Sequence, residues 1–235
     1  MSEHGHYALR QMRLLIAPIL MAASSLPGQV VGIDRIPQRL DTGKPIRALK
    51  AASEARLRER ATERYDPIFR KYTKRYFGIG GDWRRFKAQG MAESDLNPEA
   101  KSWVGARGIM QLMPTTYRMI ASRRPDMQAI NDPESNIAAG IMHNRYLWKL
   151  WQKDVPEAQL WNFMYASYNA GEGTIGRARR TALDAKLDHG HWGNIETVAP
   201  RVQRWRYRET LGYVKKIEKN YTFLEARQSA RPGRK

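Results

Sequence analysis

Apolar positions along this chain recur at helical spacing, and no segment alternates with period two, which predicts a mainly α protein. Asp82 can cap a helix over residues 82–94, where Phe86, Gly90 and Glu93 fall at i, i+4 and i+7 and so share the inward face. Pro114 opens another helix, because its missing N–H would have no partner in a first turn anyway. Asp132-Pro133 starts a run to about residue 151, with Ile137, Ile141, Asn144, Trp148 and Trp151 on one stripe. Residues 157–170 form a further helix with Trp161, Tyr165 and Tyr168 at i, i+4 and i+7, and Gly171 stands where a C-terminal cap belongs. A last helix over about 209–224 carries Tyr213, Ile217, Tyr221 and Leu224 on one face.

Upstream of these helices the pattern changes. Arg10 and Arg13 precede an apolar run over residues 14–23, followed by small residues. That resembles a secretory signal or a loose membrane anchor over residues 1–33. The run is short of the roughly 20 apolar residues that a span needs, and a short buried or interfacial helix is the competing reading. Pro27, Pro37 and Pro45 with intervening glycines read as a linker, and residues 48–64 as a charged, solvated helix. At Asp66 aromatics begin, with Phe69, Tyr72, Tyr76 and Phe77, so the folded domain is expected to start there. The basic tail over residues 226–235 is expected to be disordered.

Composition narrows the chemistry. A hydrophobic content of 42% supports a globular core, and the absence of cysteine excludes disulfides, zinc–thiolate sites and a thiol nucleophile. The five histidines form no metal constellation, so no metal or cofactor is expected. A formal charge of +18 calls for an anionic partner: nucleic acid, a membrane surface or an acidic wall polymer. Charge alone does not choose among these, and composition puts nucleic acid first as the commonest partner of basic proteins. The basic clusters at 56–64, 70–75, 177–180 and 201–208 lack the aromatic–glycine pattern of a nucleic-acid module, however, and read mostly as solvated faces.

Glu93 is the residue that most needs an explanation. A carboxylate on an inward face is either paired or kept protonated, since burying it bare is costly. Desolvation raises a carboxyl pKa, which is the shift a general acid needs near neutral pH. Gly90, one turn earlier, costs about 1 kcal/mol relative to alanine in a helix, and close approach of another segment would offset that. Asp95 lies about 200° around the helix from Glu93, so the two should not converge.

Four motifs then occur in order: ESDLNP with SWVGARGIMQLMP, DPESNIAAGIMHNRYL, ASYNAGEGTI and RYRETLGYVKKI. Together they resemble the soluble lytic transglycosylase (SLT) family of the goose-lysozyme-like superfamily, over residues 66–225. The lead-in YDPIFRKYTKRYFGIGGDWRRFKAQG is most similar to the catalytic module of its MltF-like branch. The resemblance implies a lysozyme-like helical domain with a substrate groove, preceded here by a basic N-terminal extension. It implies that Glu93 is the sole catalytic acid/base, and that Ser102, Gln111, Met113, Tyr168 and Asn169 contact substrate. Tyr168 would close the site and touch Glu93, with Gly90, Glu209 and Tyr213 in support; Met110 and Leu112 would be packing.

Most glycoside hydrolases flank the bond with two carboxylates, and only one presents itself here. The resemblance therefore implies cleavage between N-acetylmuramic acid and N-acetylglucosamine with formation of a 1,6-anhydro end. Glycan strands of peptidoglycan would be the partner, their peptide carboxylates matching the positive charge, and nucleic acid is disfavoured. The expected location is the periplasm or cell envelope, with membrane association through the N-terminus, or alternatively a phage virion or phage lysis protein. The competing functions are a lysozyme-like muramidase and a non-catalytic basic envelope- or nucleic-acid-binding protein.

Overall fold

The computed structural model describes residues 63–229, and the expectations for residues 1–62 and for the last six residues fall outside that range. Within it the chain forms eight α-helices: α1 Asp66–Phe77, α2 Trp83–Ser94, α3 Pro114–Ala121, α4 Pro133–Trp151, α5 Leu160–Ala170, α6 Glu172–Asp184, α7 Trp192–Val198 and α8 Tyr207–Ser229. Short 3₁₀ turns cover Glu157–Gln159 and Ala199–Arg201. No strand forms among the described residues; the isolated bridges Lys101–Arg107 and Arg107–Leu112 are the extended pairings.

The expected caps set the helix starts. Asp82 Oδ1 accepts from the Arg84 N–H at 3.0 Å, and Asp132 Oδ2 from the Ser135 N–H at 2.8 Å. Each satisfies a donor that the first turn leaves unpaired. Gly171 closes α5 at φ 82°, a conformation favoured by glycine, and α6 begins at the next residue.

Three elements differ from the sequence expectation. Helix α6 was hidden because its buried positions, Ile175, Ala178 and Ala182, are mostly small and interleaved with arginines. Helix α7 has seven residues, too few for Trp192, Ile195 and Val198 to stand out as a stripe. Helix α8 is longer at both ends, so residues 226–229 of the presumed disordered tail are helical.

Helix α5 lies at the centre. Its Phe163, Met164, Tyr165 and Ala166 are fully buried, and it packs against α4, α6 and α8. Helix α1 packs on α2 and α4, while α2 runs along α8. An aromatic cluster of Phe77, Phe86, Trp148 and Trp161 joins α1, α2, α4 and α5, with centroids 4.8 Å apart for both Phe77–Phe86 and Trp148–Trp161. Such pairs contribute about 0.5–1.5 kcal/mol beyond their area. Buried Lys87 pairs with Asp66, fixing α2 to the first turn of α1.

Gly90 sits where this packing is tightest. A Cβ there would lie 2.9 Å from Leu96, 3.2 Å from Ile109 and 3.2 Å from Phe69. The helix-weakening glycine lets the segment after α2 fold back beside the final turn, where Glu93 stands.

Candidate active site

Glu93 occupies the last turn of α2, which ends at Asp95 in a left-handed conformation with φ 53°. Leu96 is also left-handed, at φ 63°, and these two residues turn the chain sharply so that the buried Leu96 packs under Gly90. Asp95 is exposed, which leaves Glu93 as the carboxylate directed inward from this turn.

Helix α8 completes the environment of the acid. The Tyr213 hydroxyl donates to Glu93 Oε1 at 2.6 Å. One turn on, Lys216 Nζ donates to the Ala92 carbonyl at 2.7 Å, close enough for its charge to act on Glu93. Burial dominates and pushes the Glu93 carboxyl up to about 8, against the smaller opposing effects of the Tyr213 hydrogen bond and the Lys216 charge. The carboxyl is packed deeply, yet the residue keeps partial solvent contact. A proton donor that must reach a substrate needs both properties. Tyr213 is itself pushed upward by burial and by Glu93, so its hydroxyl stays protonated.

The loop from 95 to 113 is rigidly tied. Arg107 and Leu112 exchange backbone hydrogen bonds at 2.9 and 3.0 Å, and Ser94 Oγ donates to the Ile109 carbonyl at 2.9 Å. Asn136 on α4 is fully buried, and it accepts from the Met110 N–H while donating to the carbonyls of Arg107 and Ile130. Gly108, at φ 76°, makes room for that amide, since a Cβ would lie 2.5 Å from it. From α5 the Tyr168 hydroxyl donates to the Met110 carbonyl at 2.8 Å.

The residues singled out from sequence divide accordingly. Ser102 Oγ accepts from the Ala106 N–H at 2.9 Å, tying the loop across residues 102–106. Gln111, left-handed at φ 44°, gives its amide to the carbonyls of Ala100 and Gly108 and so braces the loop. Met113 precedes α3 and is partly exposed, whereas Met110 and Leu112 are core residues. Asn169 accepts from Thr210 at 2.8 Å, linking α5 to α8, and Glu209 pairs with Arg206 in the first turn of α8. The Tyr168 proton goes to Met110 and the hydroxyl bonded to Glu93 belongs to Tyr213, on which Tyr168 also acts.

Sequence reasoning assigned no role to Gln89, Asn144, Asn136 or Lys216. Gln89 lies one turn before Glu93, and Asn144 interrupts an apolar stripe; polar residues at such positions were the available signal. A hollow of about 240 Å³ lined by Lys71, Tyr72, Asp126 and Glu134 lies elsewhere, between α1 and α4. No group of histidine, aspartate and glutamate among the described residues could hold a metal.

The helical domain thus holds one deeply set carboxyl, raised by burial and hydrogen-bonded by a tyrosine from α8. Residues 71–189 match the family model described as "Transglycosylase SLT domain", and the chain belongs to that family. It is 31% identical over 151 residues to the membrane-bound lytic murein transglycosylase F of Shewanella pealeana, covering 64% of this chain and 29% of that protein. It is 31% identical over 183 residues to the protein of the same name from Vibrio cholerae serotype O1, covering 71% and 32%. The chain thus spans about a third of the length of the curated relatives it matches. The crystal structure of the 70-kDa soluble lytic transglycosylase from Escherichia coli superposes with a TM-score of 0.50 at 26% identity, covering 68% of this chain and 24% of that one.

Proposed function

We propose that this chain is a peptidoglycan lytic transglycosylase in which Glu93 serves as both acid and base. The observation that carries the reading is the Glu93 carboxyl, pushed up to about 8 by burial while Tyr213 occupies one of its oxygens. Protonated Glu93 donates to the glycosidic oxygen leaving from N-acetylmuramic acid. The 2-acetamido group of that sugar stabilises the charge developing at the anomeric carbon. Glu93, now a carboxylate steadied by the Tyr213 hydroxyl and the Lys216 charge, takes the proton of the muramoyl C6 hydroxyl as that oxygen attacks. Both proton transfers use one group, and no water is consumed.

The family membership and the single inward carboxylate both support this reading over two-carboxylate hydrolysis. The excess positive charge suits the peptide carboxylates of the wall polymer. Action at the cell envelope is supported by the relatives, which are named as membrane-bound. No helix of the described residues is long and apolar enough to cross a membrane. Mass spectrometry of digested sacculi tests the reaction: 1,6-anhydro ends are expected, and reducing ends alone would overturn it. Glu93→Gln should lower turnover by about 10²–10⁴-fold with folding intact.

A further inference from the structure

Behind Glu93 and Tyr213 lie two buried amides, Gln89 and Asn144, to which the reaction gives no part. Asn144 on α4 donates through Nδ2 to Gln89 Oε1 at 2.6 Å; Gln89 Nε2 donates to the Tyr213 oxygen at 3.0 Å; Tyr213 donates to Glu93 Oε1 at 2.6 Å. Gln89 and Asn144 are both fully buried. Three hydrogen bonds thus run in one direction, from α4 through α2 and α8 to the carboxyl. Asn144 Oδ1, at the far end, is buried without a partner.

That orphaned atom shows what fixes the direction. Turning both amides over would let Tyr213 donate to Gln89 and withdraw its proton from Glu93. It would also move the amide nitrogen of Asn144, with its hydrogens, to the buried position that its oxygen now holds without a partner. A buried carbonyl oxygen lacking a partner is better tolerated than a buried N–H lacking one. The unmatched end therefore holds the row in the polarity that aims the Tyr213 proton at Glu93. Packing does not explain the pair, since aliphatic side chains at both 89 and 144 would fill the core, with 144 continuing the stripe of Ile137 and Ile141, and would bury no amide at all.

We propose that Gln89 and Asn144 are positioning residues that direct the Tyr213 hydroxyl onto Glu93 Oε1 and so hold the transferable proton on the other carboxyl oxygen. The inference rests on Glu93 being the acid. In the first half of the reaction the row keeps that proton from turning inward to the tyrosine. In the second half the same hydroxyl is already placed to stabilise the carboxylate. Other charged or titratable groups act here too: Lys216 from α8 acts on Glu93, and Tyr168 from α5 acts on Tyr213. Neither belongs to the row, and substitutions at 89 and 144 leave both in place.

The test compares wild type, Asn144→Leu, Tyr213→Phe, their double variant and Glu93→Gln, using the full chain and soluble peptidoglycan fragments between pH 5 and 9. Asn144→Leu should lose about tenfold in kcat at unchanged KM, the equivalent of one misdirected hydrogen bond, when assayed well below its Tm, which falls because Gln89 Oε1 loses its donor. Its alkaline limb should move to higher pH, because the carboxylate loses a directed donor. Added to Tyr213→Phe, it should cause no further loss. Wild-type kcat and pH profile in Asn144→Leu, or additive losses in the double variant, would overturn the inference. So would a loss that merely follows Tm. Should Asn144→Leu fail to fold, Asn144→Ala, which likewise removes the amide that holds Gln89, replaces it with the same expectations. Near-normal activity of Glu93→Gln sinks the reading of Glu93 itself. An inactive Glu93→Gln beside a wild-type-like Asn144→Leu sinks only the positioning role.

Discussion

Replacing Glu93 by glutamine should stabilise the fold, by an amount that depends on pH. In the unfolded chain the carboxyl titrates near 4.5, and in the folded protein it is pushed up to about 8. Between these values the native state holds a proton that the unfolded state has released, so stability falls as pH rises. Above about 8 both states are ionised, and the full penalty of the buried charge remains. At about 1.36 kcal/mol per pH unit, the window corresponds to roughly 5 kcal/mol. Glutamine keeps an oxygen for Tyr213 and never ionises, so the variant lacks this penalty. Urea unfolding of both proteins at pH 5 and pH 8.5 measures the difference. The variant should gain at least about 2 kcal/mol more at the higher pH, even allowing for relaxation around the charge. A difference that stays constant with pH would refute the assignment of a high carboxyl pKa to Glu93, and the acid role with it.

Three further outcomes follow from the same geometry. Lys216→Met removes a charge that favours ionised Glu93, so the alkaline limb of activity should start at higher pH than in wild type; an unmoved or lowered limb in a pH–rate profile would contradict this. Gly90→Ala should destabilise by about 1–3 kcal/mol despite its better helix propensity, because the new methyl meets Leu96, Ile109 and Phe69. Thermal unfolding reads that sign directly. Asn136→Leu removes three hydrogen bonds around the loop before α3 and leaves the Met110 N–H and the Ile130 carbonyl unmatched, while Arg107 keeps its bond from Leu112; it should cost about 2–4 kcal/mol and raise amide exchange at Met110.

Much of the helical framework was legible because capping residues and wide apolar stripes are local features. Asp82, Asp132 and Gly171 announce their helix ends within a few residues of sequence. Helices α6 and α7 were not legible, since short or alanine-based faces derive their stability from the neighbours they meet rather than from their own pattern. The inward direction of Glu93 could be read from its spacing to Phe86 and Gly90. Its hydroxyl partner could not, because Tyr213 lies 120 positions away and either of two tyrosines on inward stripes fitted. Gln89 and Asn144 escaped for a related reason: a polar residue on an apolar stripe signals an unmet demand without saying which distant group meets it.

The dependence of Glu93 on α8 also has a temporal side. Chains are made from the N-terminus, so α2 leaves the ribosome well before residues 207–216 exist. Until that segment emerges and docks, the carboxyl at 93 has neither its hydroxyl donor nor its neighbouring cation. A nascent or clipped chain ending before Tyr207 would carry Glu93 without the Tyr213 hydroxyl or the Lys216 charge.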